Sequence, residues 1–225
     1  AFHSAWCNLV IEKEGVSLLL TPPFNRTEKN PGYIKKYYPG IRENGGQYTH
    51  AAVWLAIAAA MLGEHDKAYR LFTILNPVYN TSSRKDVLRY EKEPYVMTAD
   101  ISYEAPYTGR GGWSWYTGSA GWMYQGLVKW FLGLRREAGH LVIEPAVPEN
   151  FGYYRISYRY GTSVYTIDVK QRCPASLWDA AAAGHEVPFP AAVILDGERV
   201  AGNRVSLADD GREHNVTVWL RPPAE

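Results

Sequence analysis

Apolar and polar positions change rhythm once along this chain of 225 residues. Up to Gly133 the apolar residues recur at helical spacing between long glycine-rich loops; beyond it they alternate. The clearest helix runs from Gln47 to Leu62. It is rich in Ala and Leu, apolar nearly all round and stopped by Gly63, which predicts a buried element packed on both sides. Ala68, Leu71, Phe72 and Leu75 share one face of a second helix from Glu64 to Leu75, so the pair forms an αα-hairpin at Gly63. A weaker pattern (Phe2, Trp6, Leu9, Val10) spans Ala1 to Glu14, and Val16 to Leu20 reads as extended. Asn80 to Tyr90 is polar, with room for one helical turn. The run Trp122, Met123, Leu127, Val128, Trp130, Phe131 and Leu132 is too long for a strand and predicts a third buried helix.

After Gly133 the pattern has period two. His140 to Glu144, Tyr153 to Tyr160 and Ser163 to Lys170 read as strands, the last two joined at Gly161-Thr162. Ala192 to Leu195, Arg204 to Leu207 and Asn215 to Leu220 follow, with Asp196-Gly197 as a turn. Pro174 to Pro190 is a proline-rich loop with a short helical piece at Leu177 to Ala183. The expected fold is therefore α+β with two domains, residues 1–134 helical and 135–225 an antiparallel β module of sandwich type.

The loops hold the candidate chemistry. At the start of the third helix Thr117 is placed as N-cap, with Gly118, Ser119 and Ala120 in the first turn. Helix-start N–H groups lack intrahelical acceptors and sit at the positive end of the dipole, which makes an anion seat. Gly118 allows close approach, and Trp113, Trp115 and Tyr116 just ahead offer flat faces to sugar rings. A capped core helix behind a packed aromatic loop has the same spacing. His50 occupies a like position, where the loop Asn44-Gly45-Gly46 turns into the helix from Gln47. The long loop before it carries Tyr33, Lys35, Lys36, Tyr37, Tyr38, Arg42 and Glu43, suited to facing a ligand.

Composition narrows the partners. There are 17 Tyr and 8 Trp against 6 Phe, and rings with a polar edge suit carbohydrate sites. A net charge of +1 without a basic run argues against nucleic acid or an anionic membrane surface. Cys7 and Cys173 fit no metal spacing and no disulfide framework, which points to free thiols in a reducing, cytoplasmic setting. No metal or organic cofactor is expected. The chain begins without Met, within a helical pattern, and reads as a piece of a longer protein.

Several phrases together resemble glycoside hydrolase family 94. They are Leu20-Thr-Pro-Pro-Phe24, Pro31-Gly-Tyr-Ile-Lys35, Arg42-Glu-Asn-Gly-Gly-Gln-Tyr-Thr-His50, Glu93-Pro-Tyr95, Gly109-Arg-Gly-Gly-Trp113 and Trp115-Tyr-Thr-Gly-Ser-Ala-Gly-Trp-Met-Tyr124. Their order resembles the carboxy-terminal part of that family over Leu18 to Val169, with the Pro31 to His50 wording most similar to the phosphorylase-like region of cyclic β-1,2-glucan synthases. The resemblance implies the C-terminal part of an (α/α)6 barrel followed by a β-sandwich. It implies inverting phosphorolysis of β-glucosidic bonds to α-glucose 1-phosphate, with a β-glucan oligosaccharide and inorganic phosphate as co-substrates. The family's phosphate-contacting histidine matches His50, and its Thr-Gly pair matches Thr117 and Gly118. Tyr37, Arg42, Glu43 and Arg110 are candidate sugar or phosphate neighbours.

One departure from the family pattern is large. The family's general acid lies in an Asp-Trp-Asn-Asp type motif, which does not occur in this sequence; Asp100 and Glu104 have no motif match and read as structural or solvated. No catalytic residue is therefore assigned within the chain. The general acid is expected upstream, in the remainder of a parent polypeptide that could be tied to the inner membrane, and the isolated chain is expected to be inactive. Oligomerisation is left open. The competing reading is a non-catalytic carbohydrate-binding or scaffold module.

Overall fold

The computed structural model describes residues 1–115, 117–178 and 189–223, with only the backbone at Thr117. The chain is α+β and divides into two compact units, Ala1–Leu127 and Val128–Glu225.

In the first unit α1 spans Phe2–Leu9 and stops short of the expected Glu14. The β-branched Val10 and Ile11 leave the helix as strand β1 and pair with β2, Val16–Ser17, across a turn at Gly15 (φ 64°). β-Branched side chains fit a pleated surface better than a helix end. Val16 and Leu18 pack with Tyr90 and Ile101 in one apolar cluster.

The central helix α2 runs Thr49–Met61. Gln47 and Tyr48, expected as its first residues, instead form strand β3, paired antiparallel with β4, Asp100–Ile101. The helix ends in a Schellman motif: Glu64 N–H donates to Ala59 O at 3.0 Å and Gly63 N–H to Ala60 O at 3.1 Å, with Gly63 at φ 72°. The turn leads into α3, His65–Leu75, which buries Ala68, Leu71, Phe72, Ile74 and Leu75 and packs on α2. As expected, α2 is packed on two sides, by α3 and by the helix that follows residue 116, but its burial is not complete. Ala52, Val53, Ala56, Ile57, Ala59 and Ala60 are buried, but Trp54 is 47% exposed. Composition reports apolarity, not coverage, and the Trp54 face is left open.

Helix α4, Arg84–Tyr90, is longer than the single turn expected of that polar stretch. Ser83 Oγ accepts from Asp86 N–H at 3.2 Å while Asp86 Oδ2 accepts from Ser83 Oγ at 2.6 Å, a reciprocal cap that offsets the lack of an apolar stripe. Helix α5, Thr117–Gln125, packs on α2 and widens into a π-helix at Gly126–Phe131. A Cβ on Gly126 would meet Phe72 at 3.1 Å and Val53 at 3.2 Å, so a larger residue would have to push these side chains back by a few tenths of an ångström.

The change of texture puts a boundary at 134/135; contacts divide the chain after Leu127. In the second unit Phe131 meets Phe151 edge-on at 5.3 Å, and the Arg135 guanidinium lies over Trp130 at 4.8 Å. The strands are β5 (Leu134–Glu137), β6 (His140–Ile143), β7 (Tyr154–Tyr160), β8 (Ser163–Arg172), β9 (Ala192–Leu195), β10 (Glu198–Arg199), β11 (Arg204–Ser206) and β12 (Glu213–Arg221). They form a three-stranded sheet, β11-β6-β5, and a five-stranded sheet, β10-β9-β12-β8-β7. Strand β5, polar in sequence, forms because Ala138-Gly139 folds it back onto β6.

The expectation of an antiparallel module is wrong at one pairing. Strands β8 and β12 run parallel, with Ile167 beside Val216 and Val169 beside Val218. The cause is local. Asp209 Oδ1 accepts from Thr162 N–H at 2.7 Å, Ser163 Oγ accepts from Asp210 N–H at 2.9 Å and Gly211 N–H at 3.0 Å, and Val164 N–H donates to Arg212 O. These bonds deliver the start of β12 beside the start of β8. Of the expected helical piece at 177–183, a 3-10 turn occupies Ala175–Leu177 and residues 179–183 lie outside the described residues. No helix of the described residues is long and apolar enough to cross a membrane.

His214 closes this corner. Its Nδ1 lies 2.7 Å from Asp196 Oδ2 and its Nε2 3.2 Å from Asp210 Oδ1, with the ring stacked on Tyr165 at 4.6 Å. The Asp196 hydrogen bond, helped by Asp210 against burial, raises the imidazole above its ordinary range. Asp196 is held below the carboxylate range, first by His214, and Asp210 first by Arg212 N–H. A raised histidine contributes stability that is complete below its unfolded pKa and lost as pH rises through the folded one. The second unit's melting temperature is therefore expected to fall as pH rises from the ordinary histidine range through the raised one, and His214→Gln to flatten that slope. Equal slopes in calorimetry would refute the clamp.

Candidate functional site

The site is built on a short ladder. Tyr48 pairs with Asp100 and Gln47 with Ile101. On one side Thr49 N–H donates to Ala99 O at 2.9 Å; on the other Ala99 N–H donates to Trp113 O at 2.7 Å and Gly112 N–H to Asp100 O at 2.8 Å. Thr49 opens α2, and Trp113 stands four positions before the first residue of α5. The start of α2 and the loop ahead of α5, from distant parts of the chain, thus bond to one strand. One turn into each helix, Trp54 and Trp122 meet edge to face at 5.4 Å. His50 lies one turn before Trp54, its ring 5.0 Å from that indole and 4.7 Å from Tyr48. Gly118 lies one turn before Trp122.

His50 is partly exposed and Gly118 is exposed. A Cβ at Gly118 would meet nothing within 4 Å, so the backbone there is open to a ligand. As second residue of α5, its N–H has no acceptor within the helix. Thr117 is the first helical residue rather than the cap; its side chain and Tyr116 lie outside what is described. Tyr48 keeps its phenol proton to a higher pH than usual, first through burial and then through Glu43 and Asp100, and so remains a donor.

Arg42 and Glu43 are the central residues of a turn closed by Asn44 N–H to Ile41 O at 3.0 Å. Arg42 takes a left-handed φ of 48°, unusual without glycine. Close packing holds it there: a Cβ on Gly46 would run into the Arg42 and Gly40 backbone. The guanidinium lies 3.4 Å from the Trp113 ring centroid, 5.6 Å from Tyr37 and 3.8 Å from Asp100 Oδ1. Asp100 is 5% exposed and accepts from Trp113 N–H at 3.2 Å. Burial pushes its carboxyl up, against the opposing pulls of Trp113 N–H and Arg42. Glu43 Oε2 is buried with no hydrogen-bond partner among the described residues, so none of these supplies the donor that a buried carboxylate oxygen requires.

Arg110 is engaged elsewhere. It pairs with Glu91 at 2.8 Å and lies over Tyr107 at 5.3 Å, and no contact ties it to Arg42 or His50. Glu104 is exposed, as its lack of a motif match implied. Asp100 is structural, one of the two roles its lack of a motif match left it, whereas the support roles of Trp54 and Trp122 were missed. The signal was faint: Trp54 stands i+4 from His50 and Trp122 i+4 from Gly118. The assembled groups are a guanidinium on an indole, an imidazole, helix-start amides, an unmatched carboxylate oxygen and flat aromatic faces. They suit an anion next to a polyhydroxylated ring.

Residues 3–133 match the family described as "Glycosyl hydrolase 94 superfamily, catalytic domain". The chain is 43% identical over 171 residues to the cyclic beta-(1,2)-glucan synthase NdvB of Rhizobium meliloti (strain 1021), a match covering 76% of this chain and 6% of that protein. It is 26% identical over 204 residues to the N,N'-diacetylchitobiose phosphorylase of Vibrio furnissii, covering 90% of this chain and 23% of the relative. The solabiose phosphorylase of Paenibacillus borealis is 27% identical over 206 residues, 89% of this chain and 24% of the relative. The chain thus spans a quarter or less of these proteins.

The ladder gives one prediction. A Cβ on Gly112 would overlap the Asp100 carboxylate, so Gly112→Ala is expected to displace Asp100 from Trp113 N–H and to cost about 2 kcal/mol in denaturant unfolding. A variant with unchanged stability would show that the Asp100 contact does not constrain the ladder.

Proposed function

The chain belongs to the glycosyl hydrolase 94 superfamily, and we propose that it is the C-terminal part of an inverting β-glucan phosphorylase, with the phosphate seat on His50 and the Thr117–Gly118 turn. Its helices would complete an (α/α)6 barrel, and its second unit would be the sandwich that follows. The observation that carries this reading is the common ladder under α2 and α5, one start bearing His50 and the other Gly118.

In this reading phosphate accepts hydrogen bonds from the α5 amides, the Thr117 hydroxyl and the His50 imidazole. Such a seat holds the anion without the tight grip of several lysines, so it remains a nucleophile. A phosphate oxygen attacks the anomeric carbon as the glycosidic C–O bond breaks. The proton for the leaving oxygen comes from a carboxylic acid on the opposite face of the sugar. That acid is assigned to the parent protein outside these residues. Phosphate stands where an inverting hydrolase holds its water, so no second carboxylate is needed. Glu43 Oε2 would accept from a sugar hydroxyl, which supplies its missing donor, and Arg42 on Trp113 would border the same ring. A β-1,2-linked glucan is the substrate favoured, in line with the 43% identity to a cyclic beta-(1,2)-glucan synthase. A cytoplasmic location, with any membrane tie residing in the parent protein, fits the free thiols of Cys7 and Cys173.

In the parent protein, His50→Ala is expected to lower release of α-glucose 1-phosphate from oligoglucan and phosphate by about a hundredfold, the scale of losing one fixed donor to the reacting group. Unchanged release would remove His50 from the phosphate seat. Glucan binding that phosphate never alters, in titrations of the same protein, would instead support the non-catalytic binding module.

A further inference from the structure

The loop from Phe24 to Pro39 lines an open cleft of about 580 Å³ that the phosphate seat does not use. Its size falls within the range of small-molecule sites, about 300–1,000 Å³. One buried residue sets its shape. Asn44, with no exposed surface, accepts from Phe24 N–H at 2.7 Å and donates to Phe24 O at 3.0 Å and to Tyr37 O at 2.8 Å. Both ends of the loop are thus stapled to the turn that carries Arg42 and Glu43. Inside the loop, Asn30 Oδ1 accepts from Gly32 N–H at 3.1 Å, and a 3-10 turn runs over Gly32–Lys36.

The lining is unbalanced in charge. Lys29, Lys35 and Lys36 face one acid, Glu28. None of these lysines has a carboxylate within ion-pair reach among the described residues. Three ammonium groups around one cleft repel each other, and a bound anion relieves that repulsion. Phe24, Tyr37 and Tyr38 add aromatic surface, and asparagine side chains add amide donors and acceptors. Tyr37 serves both sides: it lines the cleft, and its ring stands 5.6 Å from the Arg42 guanidinium.

We propose that this cleft binds a saccharide unit carrying a negative group, a carboxylate or phosphate ester, at the end of a chain that reaches Arg42 and Glu43 past Tyr37. It rests on the phosphorylase reading only for the use made of the saccharide; the binding itself follows from the loop.

The test is calorimetric titration of this chain at low salt with three probes: sophorose, the aldonic acid made from it by oxidation, and inorganic phosphate. The aldonate is expected to bind about tenfold more tightly than sophorose, the scale that three solvated ammonium groups supply together. Combining Lys29→Gln, Lys35→Gln and Lys36→Gln is expected to abolish that preference, while His50→Ala leaves it intact. Equal binding of acid and neutral sugar, or a preference that survives the triple variant, overturns the proposal. So does a preference lost in His50→Ala, because the anion would then sit in the phosphate seat. Phosphate competing as well as the aldonate for the lysines would reduce the cleft to a plain anion site and overturn the saccharide assignment. Failure of phosphorolysis in the parent protein touches none of these readouts.

Discussion

Ala99 is the residue on which the first unit turns. Its carbonyl receives Thr49 N–H and its own N–H reaches Trp113 O. A backbone group cannot be buried without a partner at a cost below a few kcal/mol, so this pair of bonds holds the start of α2 and the loop ahead of α5 to one strand. The next residue, Asp100, adds side-chain bonds to the same strand, receiving Trp113 N–H and facing Arg42. Segments that would otherwise be independent are thereby held to one strand, one opening α2 at Thr49 and the other preceding α5. Positioning on a ladder of main-chain bonds is stiffer than positioning on long side chains.

The turn at residues 40–46 follows the same logic with glycine in place of strands. Gly40 N–H donates to Asn44 O, Tyr103 N–H donates to Gly40 O, and a Cβ on Gly40 would strike the Tyr103 carbonyl. Such tight packing keeps Arg42 in a left-handed conformation and leaves a buried oxygen of Glu43 without a donor among the described residues. Backbone strain and an unmet acceptor both lower stability. Both fall at one turn, beside an indole that carries the guanidinium. Asn44 extends the constraint outward, because the same buried amide holds the 24–39 loop.

In the second unit side chains, not helix starts, decide the topology. Ser163 collects two N–H groups of the loop before β12, Asp209 of that loop accepts from Thr162 N–H, and His214 bridges two carboxylates beside Tyr165. The alternation of buried and partly exposed positions along β8 and β12 then places Ile167, Val169, Val216 and Val218 on one face.

Much of this was legible from residue order. The Ala-rich helix, its stop at Gly63, the hairpin at Gly161-Thr162 and the helix start at Thr117 all depend on neighbours within a few positions, where propensity and periodicity act. The phrases Arg42 to His50 and Trp115 to Tyr124 were specific enough to indicate the family. Other features lay beyond any local pattern. Gln47 and Tyr48 became strand because Asp100 and Ile101, far along the chain, offered partners; Val10 and Ile11 left their helix for Ser17 and Val16. The parallel pairing of β8 with β12, the stacking of Arg42 on Trp113 and the open face of Trp54 follow from which segments meet. Local sequence fixes what each segment can do, because its energies act between adjacent residues. Pairing and burial are set by contacts between distant ones, and only the folded chain decides those.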